Sequence, residues 1–98
     1  MSRSIVYAPL AQAHLDRIFD TLAELHGVEI ADRSINDIRA KVDILARFPN
    51  TGLLLSNGSY RVRSKHVRII YQVRNDVLEI GGIIPTKMSF SPHIEGQN

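Results

Sequence analysis

The distribution of hydrophobic positions along the 98 residues changes its period twice. After a short β-branched and aromatic run at residues 3–7, apolar residues recur every three or four positions, which is the spacing of one helix face. Beyond Gly52 the apolar positions alternate with polar ones, which is the spacing of half-buried strands. The pattern therefore predicts a leading strand, a helical half and a sheet-forming half.

Two consecutive helices are predicted by the three-to-four spacing. The first covers residues 10–26 and ends at Gly27, since glycine is common just after a helix. The second covers about residues 29–48 and is ended by Pro49. Because their connection is short, the two helices should pack as an antiparallel hairpin. The apolar stripes are Ala11, Leu15, Ile18, Leu22 and Leu25 on the first helix, and Ala31, Ile35, Ile38, Val42 and Leu45 on the second.

Three further strands are predicted after the helices, at residues 60–63, 67–74 and 77–84, and tight turns join them into a meander. The glycine pair at residues 81–82 indicates a bulge or the close approach of another backbone. The element order is therefore β-α-α-β-β-β. This order is typical of an α+β domain in which a helical hairpin packs on one face of a small, mainly antiparallel sheet.

Length and composition limit the class of protein. Ninety-eight residues make one domain, with a core at about residues 3–84 and a tail from residue 85 that we expect to be mobile. The sequence contains no cysteine, which excludes disulfides and cysteine-based zinc sites. No His, Asp and Glu spacing resembles a metal site, so no metal or other cofactor is expected. The lack of a signal-peptide layout and of a long apolar run favours the cytoplasm.

Positive charge is concentrated in the second half of the chain. Residues 1–50 carry six basic and seven acidic residues, whereas residues 51–98 carry six basic and three acidic ones. Such an excess either attracts phosphates or an acidic protein, or is simply solvated. Strand alternation places Arg61 and Arg63 on one face, and Arg68 joins them if the neighbouring strand has the right register.

The order and spacing of several short motifs resemble those of the ParE/RelE toxins over about residues 5–84. This resemblance implies the toxin of a bacterial type II toxin–antitoxin, or plasmid stabilisation, module that inhibits growth. It also implies a cognate antitoxin, a small acidic protein with a DNA-binding N-terminus that neutralises the toxin in a hetero-oligomer. The residues that carry the resemblance are Ala11, Leu15 and Ile18 in the first helix, Gly27 and Ala31 between the helices, Leu45, Pro49 and Gly52 at the end of the second, and Tyr60-Arg61 with residues 68–73 in the strands.

The resemblance leaves two activities open. ParE-like members poison DNA gyrase by binding, whereas RelE-like members are ribosome-dependent mRNA interferases that cut RNA with basic residues and an acid/base side chain. The RelE-like alternative would use Arg61, Arg63, Arg68 and Lys87 as basic residues and His93 for proton transfer. The same four basic residues are expected to bind the target or the antitoxin. Ribosome-directed members of the family are usually far more basic than this chain, whose net charge is +2. His93 lies in a proline-flanked tail and not on a predicted strand. Both features favour gyrase.

One departure from the ParE-like pattern bears on toxicity. ParE-like chains usually end their last strand with a V-L-H-x-R-like stretch, and here Pro85 replaces that histidine. A degenerate toxin that only binds its antitoxin therefore also stays open. Elsewhere, Tyr71 shares a face with apolar residues and is expected in the core. His14 and His26 are expected at the surface or at helix contacts, and His66 in the basic surface.

Overall fold

A computed structural model describes residues 3–86, which form two helices packed on a five-stranded sheet. The expected α+β order is confirmed, and a two-residue edge strand, β2, is added to it. The elements are β1 (Ser4–Tyr7), α1 (Pro9–His26), α2 (Val28–Arg47), a 3₁₀ turn (Pro49–Thr51), β2 (Leu53–Leu54), β3 (Tyr60–Ser64), β4 (Val67–Arg74) and β5 (Val77–Pro85).

The sheet has the strand order β1-β5-β4-β3-β2. The first strand lies parallel to the last, and the other neighbouring pairs are antiparallel. Strands β3, β4 and β5 form the expected meander. Opposite the Ile70–Tyr71 step of β4, the pairing of β5 shifts by one residue at Gly81, so the predicted bulge is confirmed.

Local sequence chemistry explains the helix ends. Pro9 occupies the first turn of α1, where its missing N–H costs no helical hydrogen bond. Gly27 alone separates α1 from α2 at φ 97°, a left-handed conformation that favours glycine. The bounds of both helices agree with the predicted ones to within one residue. Leu25 was predicted to belong to the apolar stripe of α1 that packs in the hairpin. This prediction was wrong, because Leu25 is 46% exposed near the hairpin tip.

The core lies between the helical hairpin and one face of the sheet. Each helix contributes its apolar stripe, and β4 and β5 contribute alternate residues. Ile35 is half-buried and packs against this core. The buried residues are Ala11, Leu15, Ile18, Leu22, Ala31, Ile38, Val42, Leu45, Ala46, Val67, Ile69, Tyr71, Leu78, Ile80 and Ile83.

Tyr71 joins the core to the segment that follows α2. Its hydroxyl donates a hydrogen bond to the Pro49 carbonyl at 2.7 Å and accepts one from the Gly52 N–H at 3.0 Å. Its ring stacks on Tyr60 with the centroids 5.4 Å apart. A Cβ atom at Gly52 would lie 2.5 Å from the Tyr71 hydroxyl and 2.9 Å from the Arg61 carbonyl oxygen. Pro49, Gly52 and Tyr71 therefore take part in one hydrogen-bonded contact.

Within residues 3–86, neither helix is long and apolar enough to cross a membrane. In the same part of the chain, no three His, Cys, Asp or Glu side chains come together as metal ligands would.

Candidate binding face on the open side of the sheet

The face of the sheet opposite the helices, here called the outer face, carries three predicted site residues. Arg63 lies directly opposite Arg68 in the β3–β4 pairing, and Arg61 lies opposite Ile70. Both members of the opposed pair are exposed, and Arg61 is half-buried. The register thus meets the condition for grouping Arg61, Arg63 and Arg68, here called the arginine row.

The arginine row has no acidic partner among the described residues. Placing Arg63 opposite Arg68 on one sheet face is unfavourable, because like charges directly across a pair of strands repel. Arg63 Nε donates to the Lys65 carbonyl at 3.3 Å, which leaves its charge unneutralised. The ion pairs of residues 3–86 are Lys65 with Asp37 at 2.7 Å and Arg74 with Glu79 at 3.1 Å. This end of the outer face therefore favours an anionic partner.

A different polar cluster lies at the other end of the outer face. One carboxylate oxygen of Glu79 accepts hydrogen bonds from Gln72 at 3.0 Å and from Arg74 at 3.1 Å. The hydrogen bonds from Gln72 and Arg74 lower the pKa of Glu79 below its ordinary value. Gln72 is four residues from Arg68, about 13 Å along a strand. The Glu79 carboxylate is therefore ionised at neutral pH and lies away from the arginine row.

A mainly apolar depression of about 360 Å³, here called the outer groove, is lined by Gln72 and Glu79 at one end and by Ile84, opposite Arg68, at the other. Its floor includes the bulge residue Gly81 and Gly82, which pairs with Ile70. Its walls include Leu10, which is 61% exposed, and Ile84, which is 45% exposed. The sequence indicated the bulge, but not that α1 and β5 would form a groove around it.

His14 holds α1 against the free edge of β5. Strand β1 ends at Tyr7, opposite Ile80, so the N–H of Ile83 lies beyond the last strand partner. His14 Nδ1 accepts a hydrogen bond from that N–H at 3.1 Å. His14 is half-buried at the surface, as one of the two expected positions had it, but its contact is with the sheet and not within the hairpin. The helical pattern carries no signal for this role, which depends on the unequal lengths of β1 and β5.

The remaining candidate residues lie off the outer face or beyond the described part. His66 lies in the β3–β4 turn and lines a second apolar groove of about 270 Å³ between that turn and the helices. His26 is exposed in the last turn of α1. Lys87 and His93 lie outside residues 3–86. The grouping of Arg61, Arg63 and Arg68 is therefore the part of the predicted site that the structure describes.

Known proteins resemble this chain in sequence pattern and in fold. The comparison with curated proteins gives no match. A solved structure from the chromosomal ParDE TA system of P. aeruginosa has a TM-score of 0.79 and 23% sequence identity, over 88% of this chain and 98% of that chain. This likeness shows a shared fold. The family described as the ParE toxin of the type II toxin–antitoxin system parDE matches residues 5–90. The chain therefore belongs to the ParE toxin family.

Proposed function

We propose that this ParE-family chain inhibits DNA gyrase by binding it, without chemistry of its own, and that a cognate antitoxin neutralises it by direct contact. The observation that carries the gyrase proposal is the composition of the outer face. The arginine row offers positive charge to a phosphate or a carboxylate. Within residues 3–86 the nearest imidazole is that of His66 in the β3–β4 turn, and it lines the groove between that turn and the helices instead of the outer face. Charge stabilises a transition state, but RNA cleavage also requires proton transfer.

The acid/base candidates among the described residues support this proposal by their positions. His14 accepts the hydrogen bond from Ile83 at the edge of β5. His26 lies at the far end of the hairpin. Glu79 is held as a carboxylate by Gln72 and Arg74, which makes it a poor proton donor. Gyrase, a DNA-bound enzyme, also suits a toxin that works in the cytoplasm, as we infer for this chain.

Ribosome-dependent mRNA cleavage is the second candidate function, and the convergence of Arg61, Arg63 and Arg68 on one face favours it. Guanidinium groups at that spacing suit the developing negative charge of a cleaved phosphodiester. This candidate additionally requires Lys87 as a fourth cation and His93 for proton transfer. Both residues lie beyond the described part, so this candidate rests on the arginine row alone.

Expression of the chain in a bacterial host separates the two functions. Gyrase inhibition should induce the DNA-damage response and leave coding sequences intact when mRNA 5′ ends are mapped. Ribosome-dependent cuts that disappear in His93→Ala or Lys87→Ala, with gyrase supercoiling unaffected, would instead establish the interferase. A chain that inhibits neither process and still binds its antitoxin would be a degenerate toxin.

The antitoxin is proposed to cover apolar surface at the β2 edge of the sheet and around the outer face. In this part of the chain, Phe48 is 62% exposed, Leu53 58% and Leu54 60%. A two-residue strand at the edge also leaves backbone groups available for an added strand. An antitoxin segment could therefore extend the sheet here, while its acidic side chains meet the arginine row.

A further inference from the structure

We propose that the outer groove and the arginine row form one docking site for an antitoxin segment that carries a bulky apolar side chain next to carboxylates. The apolar side chain would enter the outer groove, and the carboxylates would pair with Arg68, Arg63 or Arg61. This inference rests on the antitoxin part of the proposed function and gives it a location and a chemistry.

The sheet register places the groove and the arginines in two adjacent rows that cross the strands. One row runs from Gly82 through Ile70 to Arg61, and the next runs from Ile84 through Arg68 to Arg63. Neighbouring strands lie about 4.8 Å apart. An apolar side chain seated against Ile84 is therefore about one strand spacing from Arg68 and about two from Arg63. A single helix or extended segment can span that distance.

Occupation by a partner explains why the floor of the groove lacks side chains. Neither Gly81 nor Gly82 has the positive φ that favours glycine. A Cβ at Gly82 would meet His14 at 3.6 Å and Ile84 at 3.9 Å, and one at Gly81 would meet only the Ile70 carbonyl at 3.7 Å. These are ordinary van der Waals distances, so the fold tolerates a Cβ atom at either position. The open space is available for the side chain of another molecule.

Charge and apolar exposure together define the occupant. The arginine row lacks acidic partners within residues 3–86, so a complementary segment is acidic. The groove beside it has exposed apolar walls at Leu10 and Ile84, and the exposed Val6 on β1 continues the outer face beyond them. Water leaves these walls when a large apolar side chain enters, which favours association. A bare nucleic-acid backbone would satisfy the arginines but leave the groove walls in water.

The test measures binding of the purified chain to the protein encoded by the adjacent reading frame. Ile84→Asp, Leu10→Asp and Arg68→Glu should each raise the Kd by about thirtyfold or more, as expected at the centre of an interface. The matched control is Ile30→Asp. Ile30 is 41% exposed against 45% for Ile84, and it lines the second groove, which lies between the β3–β4 turn and the helices. Its Kd should stay within about threefold of the wild type, as a side chain outside the interface requires.

Each outcome decides a separate statement. If the wild type binds and the groove variants bind equally well, or if only Ile30→Asp loses affinity, the docking site is elsewhere and the inference is wrong. If the wild type self-associates in the absence of the neighbouring protein and Ile84→Asp is monomeric, the occupant of the groove is a second copy of the chain. That result also overturns the inference. If the wild type does not bind the neighbouring protein at all, the antitoxin part of the proposed function fails. Thermal unfolding of each variant confirms that these exposed substitutions leave the fold intact.

Discussion

At the scale of single residues, the hydroxyl of Tyr71 has the clearest structural role outside the outer face. It is a donor to Pro49 and an acceptor from Gly52, and it lies on a side chain that is 1% exposed. Removing this hydroxyl leaves a backbone carbonyl and a backbone N–H without their partner. Pro49 and Gly52 are half-buried, and a polar group left unpaired away from water costs more than the average hydrogen bond contributes.

Tyr71→Phe should therefore lower the free energy of unfolding by about 1–3 kcal/mol, while the ring keeps its stack on Tyr60. Urea denaturation of both proteins measures the difference. Tyr7→Phe is the matched control, because Tyr7 is half-buried and makes no side-chain hydrogen bond in the described residues. Equal losses in the two variants would mean that the contact with Pro49 and Gly52 contributes nothing.

Because of the same Tyr71 hydroxyl, we expect the free energy of unfolding to depend on pH in the alkaline range. Burial raises the pKa of Tyr71 above its ordinary value of 10.0, so the folded chain holds this proton more tightly than the unfolded chain. The stability linked to it is complete below pH 10.0 and declines as the pH rises through the raised folded-state pKa. Unfolding free energies measured across that window should fall less steeply in Tyr71→Phe. A remaining slope is expected, because burial raises the pKa of Tyr7 as well.

At the scale of the elements, the hairpin seam and the strand pattern were predictable because their causes are local. Pro9, Gly27 and Pro49 determine the helix ends through backbone geometry and hydrogen bonding. Arg61 and Arg63 lie on the same face because side chains two residues apart in a strand point to the same side of the sheet.

Features that depend on where neighbouring elements begin and end could not be predicted from the local sequence. Leu25 continues the apolar stripe of α1, but it lies in an exposed hairpin tip. Leu53–Leu54 becomes a strand only because β3 lies beside it. The sequence around His14 contains no information on where β1 stops relative to β5.

The hairpin prediction is tested at Ile38, which is 5% exposed in α2. Ile38→Asp places an unpaired carboxylate in the core and should cost several kcal/mol, or prevent folding, because a buried charge without a partner is strongly unfavourable. Ile44→Asp on the same helix is the control, since Ile44 is 44% exposed. Thermal unfolding compares the two. An Ile38→Asp protein as stable as Ile44→Asp would mean that the phase of α2 is wrong.

At the scale of the whole molecule, the helices cover one face of the sheet, and within residues 3–86 the other face is open. Strand alternation predicted that Arg61 and Arg63 share a face, and it left Arg68 conditional on the register, which the structure supplies. It did not predict the outer groove, whose walls come from α1, β4 and β5. A surface assembled from separate elements has no local pattern to reveal it.

A partner that covers this surface should also stabilise the chain. Co-expression with the protein of the adjacent reading frame is expected to raise the yield and the Tm of the toxin, because a ligand specific for the folded state shifts the equilibrium by mass action. A hundredfold excess of free partner over Kd corresponds to about 2.7 kcal/mol. An unchanged Tm in the presence of saturating partner would argue against a folded-state complex.

The gyrase proposal is decided by incubating the purified chain with gyrase, ATP and plasmid DNA and measuring the cleaved DNA–gyrase complex. We expect the wild type to accumulate cleaved DNA and to block supercoiling. The double variant Arg63→Ala/Arg68→Ala should lose at least about tenfold in potency, as expected when charge-assisted contacts are removed. Arg17→Ala/Arg47→Ala, which removes two exposed charges from the helices, should retain wild-type potency. A wild-type protein that leaves both supercoiling and DNA cleavage unchanged would contradict gyrase as the target, and equal potency in the two double variants would contradict the arginine row as the contact.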